Sequence, residues 1–224
     1  MPMDDELWKK VDDYLAEKLL PDDPALKDAL ERNTAAELPA IDVSALQGRF
    51  LYLLAKLHGS RRILEIGTLG GYSTICLARA LPAADGKLIS LELDEKHVRV
   101  ARQNIAAAGL TERVEIRGGP ALESLARLQA DKVAPFDFVF IDADKPNTGP
   151  YFERAMELCR SGSVIIADNV VRKGQLADAT SKDANVQGMR RFIDIVSKDR
   201  RVEASTLQTV GAKGYDGFTI IRVL

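Results

Sequence analysis

Histidine and cysteine are nearly absent from this chain, with two of each in 224 residues. That scarcity leaves no soft ligand set for a structural zinc and no disulfide framework. Cys76 and Cys159 fall in segments of helical periodicity without metal-type spacing. They read as buried thiols in a reducing compartment, so a cytoplasmic location is expected. His58 and His97 each stand alone in a helical stretch and read as surface residues. No apolar run approaches the roughly 20 residues that a membrane span needs. The opening Met-Pro-Met-Asp-Asp-Glu is acidic and lacks the basic and apolar regions of a secretory leader. Net charge is −2 with scattered bases, which gives no nucleic-acid footprint. Repeats and low-complexity tracts are also missing.

What is present is enough for one core. With 46% hydrophobic content, the length suits a single domain over 1–224 and is short for two. The first sixty residues carry helical spacing, in Trp8, Val11, Tyr14, Leu15 and Leu19 and again in Leu46, Phe50, Leu53, Leu54 and Leu57. Pro21, Pro24 and Pro39 punctuate them. Short apolar runs then alternate with amphipathic helices. Strands are predicted at Arg62–Ile66, Lys87–Glu92, Val114–Ile116, Phe136–Ile141 and Val164–Ala167. Helices are predicted from the glycines at 67–71 to about Leu81, over Asp94–Ala108 with Gly109 as cap, from near Asn147, and around Val186–Ser197. Alternation of this kind predicts an α/β fold, a doubly wound and mostly parallel sheet covered on both faces. The last runs, Val202–Leu207 and Gly217–Val223, are too closely connected for a crossover helix and should pair antiparallel.

Ligands in such sheets bind outside the carboxyl ends of the strands, near the switch point in strand order. The first strand ends in Glu65-Ile66-Gly67-Thr68-Leu69-Gly70-Gly71-Tyr72-Ser73. Glycines there let backbone approach a ligand, although plain turn geometry explains them equally well. The spacing G-x-x-G-G is not the G-x-G-x-x-G of dinucleotide sites. Glu92, at the end of the second strand, can accept both hydroxyls of an adenosine ribose, or it can cap the next helix. Asp94 reads as the helix cap. A nucleoside cofactor without a phosphate fingerprint suits S-adenosylmethionine better than a nicotinamide dinucleotide.

The fourth and fifth strands end in Ile141-Asp142-Ala143-Asp144-Lys145 and Ala167-Asp168-Asn169. Asp142, Asp168 and Asn169 offer only oxygen, which suits Mg²⁺, Mn²⁺ or Ca²⁺ rather than zinc. Taken singly, each Asp could equally be a cap or a satisfied polar group.

These residues also carry a resemblance. R-I-L-E-I-G-T-L-G-G-Y-S, G-G-P-A-L, F-V-F-I-D-A-D-K and I-I-A-D-N, in that order, closely resemble the cation-dependent O-methyltransferases, which include the caffeoyl-CoA and catechol enzymes. The resemblance runs from about Leu46 to the C-terminus. It implies a seven-stranded methyltransferase sheet and, as in most relatives, a homodimer, with the N-terminal helices (about 1–58) as cap or dimer-contact region. By resemblance Glu65, Gly67, Ser73, Glu92, Ala121 and Asp144 contact S-adenosylmethionine, and Thr68 and Asp142 are placed with them. Asp142, Asp168 and Asn169 match the metal ligands. Lys145 matches the proposed general base, and with Asp142 makes up the expected catalytic pair. Lysine serves as a base only where a nearby dication and burial favour its neutral form, which Asp142 and Asp144 oppose. The alternative is that Lys145 only steers the substrate.

The expected acceptor is a phenol: a catechol, a hydroxycinnamate or a flavonoid. Its wall should come from the segment after Asn169, including Arg172 and Lys173, and from a loop over Gly211–Gly217. Asp216 faces the acceptor there or serves the turn. A nicotinamide-dependent oxidoreductase and a non-catalytic S-adenosylmethionine-binding protein are the competing readings.

Overall fold

The computed structural model describes residues 5–224. The acidic start of the chain at residues 1–4 lies outside them. Three helices come first: α1 (Asp5–Leu19), α2 (Pro24–Ala35) and α3 (Ala45–His58). Asp23 caps α2, accepting from Leu26 N with Pro24 in the first turn, and Ser44 caps α3 in the same way through Gln47 N. Gly59 then ends α3 in the left-handed conformation, φ 71°.

The alternating unit follows as β1 (Arg62–Ile66), α4 (Tyr72–Ala80), β2 (Lys87–Glu92), α5 (Glu95–Ala107), β3 (Val114–Gly118), α6 (Ala121–Ala130) and β4 (Phe136–Ile141). After β4 come a 3₁₀ turn at Lys145–Asn147, α7 (Thr148–Met156), β5 (Cys159–Asp168), α8 (Ala184–Lys198), β6 (Val202–Gly211) and β7 (Gly214–Val223). The seven strands lie in the order β3-β2-β1-β4-β5-β7-β6. Strand β7 runs opposite to the other six, pairing antiparallel with both β5 and β6. The predicted α/β architecture and its antiparallel C-terminal pair are therefore present, with the seven strands that the resemblance implied. Because the chain winds outward from β1 to β3 and then returns to β4, the switch point falls between β1 and β4.

Each face of the sheet has its own core. Phe138 and Phe140 of β4 pack on the side of α3, α4 and α5, whereas Phe136, Val139 and Ile141 pack with Leu125, Phe152 and Phe192 of α6, α7 and α8. A register irregularity between Phe136 and Phe138 interrupts the strict alternation and accompanies the placement of Phe136 on the opposite face from Phe138. All six residues of β4 are buried, as a central parallel strand covered on both faces requires.

Several expectations are corrected. Helix α6 occupies a segment where none was predicted, and Leu125 and Leu128 fix it to the core. Cys159 opens β5 rather than lying in a helix, and it is only half-buried. The hairpin closes at Ala212-Lys213, so the expected loop over Gly211–Gly217 is mostly strand. His58 is not a free surface residue: Nδ1 meets Ser60 Oγ at 2.9 Å and Nε2 meets the Gly162 carbonyl at 3.0 Å. Among the described residues no helix is long and apolar enough to cross a membrane.

One packing contact ties the fold to the cleft described next. A Cβ at Gly188 of α8 would lie 2.3 Å from the Lys145 carbonyl oxygen and 2.6 Å from Pro146 Cα. Those neighbours are backbone, so they yield only if α8 or the 3₁₀ turn moves. Gly188→Ala gains up to about 1 kcal/mol of helix propensity but incurs overpacking of about 1–3 kcal/mol. Urea unfolding should therefore show a net loss of stability; a more stable variant would mean that α8 seats loosely.

Candidate active site at the carboxyl ends of the strands

A cleft of about 740 Å³ opens at the switch point. Its floor is the turn after β1. Gly67 donates to the Leu91 carbonyl and Asp142 donates to the Ile66 carbonyl, stitching three strand ends together. Gly67 has φ 101°, and a Cβ there would lie 2.1 Å from the Asp142 carbonyl oxygen, so no side chain fits. The carboxylate of Glu92 holds the turn: Oε2 accepts from Thr68 N at 3.1 Å and Leu69 N at 2.8 Å, and Oε1 accepts from Asp94 N at 2.9 Å. A carboxylate has about four acceptor sites, so Glu92 still has capacity for a ligand in the cleft it lines. Asp94 caps α5 through Lys96 N and His97 N, as expected. His97 is corrected from a surface residue to a cleft residue, with Nδ1 3.3 Å from Glu92 Oε1.

Glu65 sits behind this floor and is not exposed at all. Three hydroxyls converge on it: Ser73 Oγ and Ser90 Oγ, each at 2.6 Å, and Thr74 Oγ1. Thr68 Oγ1 extends the chain through Ser90. Burial outweighs those donors and pushes the Glu65 carboxyl up to about 7, with Asp142 adding to the rise. The cleft itself is lined by Gly67, Thr68 and Ser73 on this side and by Ala121, at the start of α6, opposite.

The far half of the cleft is acidic. Asp142 Oδ1 pairs with Lys145 Nζ at 2.8 Å, and Lys145 is buried. Asp144 accepts from the Tyr151 hydroxyl and from Asn147 Nδ2 at 2.6 Å. Asp168 lies just behind the wall, where Gln47 Nε2 of α3 donates to Oδ2 at 2.6 Å and Asn169 N donates to Oδ1 at 2.8 Å. Desolvation, and then the charge of Asp142, raise the Asp168 carboxyl to about 7 against the pull of Lys145. Asn169 is held at φ 55° and lines the cleft. Among the described residues no three His, Cys, Asp or Glu gather as a metal-binding group. Two carboxylates and the Asn169 amide are the available donors. That hard oxygen set, with two carboxylates against one ammonium, fits a divalent cation of the Mg²⁺ type.

The N-terminal helices reach the site through residues that sequence reasoning missed. Gln47 is one. Asn33 of α2 is another: its amide meets Asp42 Oδ1 at 3.0 Å and accepts from Asn104 Nδ2 at 3.0 Å, and Asn104 also donates to the Gly70 carbonyl. The Gln47–Asp168 and Asn33–Asn104 contacts span 121 and 71 residues of chain, and no local spacing signals them. Asp216 also differs from both readings offered for it. Oδ1 accepts from Val171 N and Arg172 N, so it braces the segment after Asn169.

Comparison with known proteins agrees with this geometry. A family model described as O-methyltransferase matches residues 17–224. The chain is 47% identical to a catechol O-methyltransferase of Niastella koreensis over 99% of this chain and 100% of that one. An O-methyltransferase from Bacillus cereus, solved with SAH, superposes with a TM-score of 0.96 at 54% identity, covering 98% and 99% of the two chains. The O-methyltransferase TomG of Streptomyces achromogenes, solved with SAM, gives 0.95 at 46% identity over 99% of each.

The buried Glu65 makes stability depend on pH in a defined direction. Its carboxyl is raised from 4.5 to about 7, so the folded state holds the proton more tightly than the unfolded one. The stability this contributes is complete below about pH 4.5 and is lost as pH rises towards 7. Glu65→Gln cannot ionise. The stability of the native chain relative to this variant should therefore fall across that window, by at most about 1.4 kcal/mol per pH unit, and then level off. Urea unfolding of both proteins between about pH 5 and 8 measures it; a difference constant in pH would contradict the buried, proton-holding carboxyl.

Proposed function

The chain belongs to the O-methyltransferase family and is an S-adenosylmethionine-dependent O-methyltransferase; on that premise we propose that it methylates a phenolic hydroxyl of the catechol or hydroxycinnamoyl type with the help of a divalent cation. The observation that carries this reading is the paired carboxylates Asp142 and Asp168, which share the single ammonium of Lys145: it pairs with Asp142, and its pull on the buried Asp168 does not offset desolvation. Family membership sets aside the nicotinamide oxidoreductase.

In this reading Asp142, Asp168 and Asn169 hold Mg²⁺, with Mn²⁺ or Ca²⁺ as substitutes. When bound, the cation favours the ionised form of a chelating hydroxyl and S-adenosylmethionine supplies the methyl group. The remaining work falls to the chain. Glu92 accepts from a ribose hydroxyl at the one acceptor position that its three backbone donors leave. Gly67, Thr68, Ser73, Ala121 and Asp144 line the cofactor half, and Glu65 fixes Ser73 and Thr68 from behind. Lys145, whose backbone packs against Gly188, carries Nζ beside Asp142, and in its neutral amine form Nζ takes the proton released by the hydroxyl. Tyr72, Ile41 and Val43 give the cleft apolar lining that limits water.

The same reading treats residues 1–224 as one methyltransferase domain, cytoplasmic and homodimeric. Helix α1 buries none of its residues, and Val11, Tyr14, Leu19, Leu53 and Leu57 stand exposed on α1 and α3. Apolar side chains in such number support a dimer contact there. The relative from Niastella koreensis carries the name catechol O-methyltransferase, which supports the choice of acceptor.

Transfer of labelled methyl from S-adenosylmethionine to catechol, caffeate and related phenols tests the reading directly. Product should form with Mg²⁺, vanish in excess EDTA and return when Mg²⁺ is restored. Lys145→Met should lower the rate by about 10²-fold or more and flatten its dependence on pH, with cofactor affinity retained. Full turnover in EDTA would remove the cation from the account. A normal pH profile in Lys145→Met would leave that residue a steering role.

A further inference from the structure

The acceptor half of the cleft contains one more cationic side chain that none of these roles uses. Arg172 lines the cleft three residues beyond Asn169. Among the described residues its Nε is the single buried side-chain polar atom without a hydrogen-bond partner. Its nearest carboxylate oxygen, Asp216 Oδ2, lies 3.7 Å from Nη1, which is beyond hydrogen-bond length. The other oxygen of Asp216 is already committed to the backbone N–H groups of Val171 and Arg172. The guanidinium is thus held near a carboxylate without being satisfied by it.

The backbone that carries it is strained. Asn169, Arg172 and Lys173 all have positive φ, 55°, 53° and 55°, in a stretch of five residues with no glycine. Hydrogen bonds from Val170 N to the Gly217 carbonyl and from Val171 N and Arg172 N to Asp216 keep it there. A Cβ at Gly217 would lie 2.7 Å from Val171 Cγ2, so the hairpin presses directly on this segment. Five N–H donors in a rigid fork, presented to a cleft by a braced segment, match the two oxygens of a carboxylate.

Two carboxylates could meet it, one on the acceptor and one on the methionine moiety of the cofactor. Position favours the acceptor. Glu92 ends β2 and Arg172 follows β5, and β1 and β4 lie between them. Three strand spacings separate the two by about 14 Å, which puts Arg172 beyond the proposed cation ligands. We propose that Arg172 recognises a carboxylate on the acceptor, so that the preferred substrates are catechol acids, of the dihydroxybenzoate or dihydroxycinnamate type, rather than neutral catechols. This rests on the catechol reading above and narrows its substrate class.

The test compares 3,4-dihydroxybenzoate with its neutral amide and with plain catechol. Both kcat/KM and calorimetric affinity for the S-adenosylhomocysteine complex are measured for the native chain, Arg172→Gln and Arg172→Lys. The native chain should favour the acid over the amide by about tenfold or more in both measurements. Arg172→Gln should abolish that preference, and Arg172→Lys, which keeps the charge but loses the fork, should fall between. Dividing acid by amide within each protein cancels any loss of folded enzyme, and comparing that ratio between proteins cancels the intrinsic difference between the two catechols. Turnover of catechol and amide with no preference for the acid would overturn this inference and leave the catechol reading intact. Neither binding nor turnover of any of the three would overturn both. Weaker cofactor binding in Arg172→Gln, with the acid preference unchanged, would assign Arg172 to the cofactor's carboxylate instead.

Discussion

Carboxylates crowded at the ends of parallel strands are the constraint around which this molecule is arranged. Glu65, Glu92, Asp142 and Asp168 stand at or beside the carboxyl ends of β1, β2, β4 and β5, four neighbouring strands. Little water reaches them, and like charges in such a place are costly unless each is answered. Each is answered differently. Glu92 takes three backbone N–H groups from the turn after β1 and the start of α5, Glu65 takes three hydroxyls, and Asp142 takes the one buried ammonium. Asp168 takes an amide, a backbone N–H and part of the pull of Lys145, and desolvation and the charge of Asp142 still raise its proton affinity. A cation would complete this set, and the proposed chemistry asks for one at that position.

The same arrangement divides the proposed site in two. The proposed cofactor half is closely fitted: the Gly67 turn against Asp142, and the hydroxyl chain behind Thr68 and Ser73. The proposed acceptor half draws on Gln47 from α3, the brace of Asp216 from β7 and the strained segment after β5. A site that fixes one partner and adapts to another is expected to look like this, because loop and terminal elements vary most easily on a constant sheet.

Much of the proposed cofactor half was legible because its signals are local. A short apolar run followed by glycines, or an acidic residue at a strand end, can be read within ten residues. Helix α6 shows the limit, since Leu125 and Leu128 carry its helical spacing but the segment is only ten residues long and follows Gly119 and Pro120. Asn33, Asn104 and Gln47 could not be read at all: each is an ordinary polar residue on a helix, and its role comes from a partner far away in the chain. His58 is similar, because it gains its role only where Gly162 approaches it. The seven strands were readable as apolar runs, whereas the assignment of cofactor contacts came from the ordered family motifs and not from periodicity.

The central claim is that Asp142, Asp168 and Asn169 form a cation site. Electron paramagnetic resonance of Mn²⁺ titrated into the S-adenosylhomocysteine complex tests it without reliance on turnover. One saturable site is expected in the native chain, displaced by Mg²⁺ and weakened by about tenfold or more in Asp168→Asn. Absence of bound Mn²⁺, or binding undiminished in Asp168→Asn, would contradict the account.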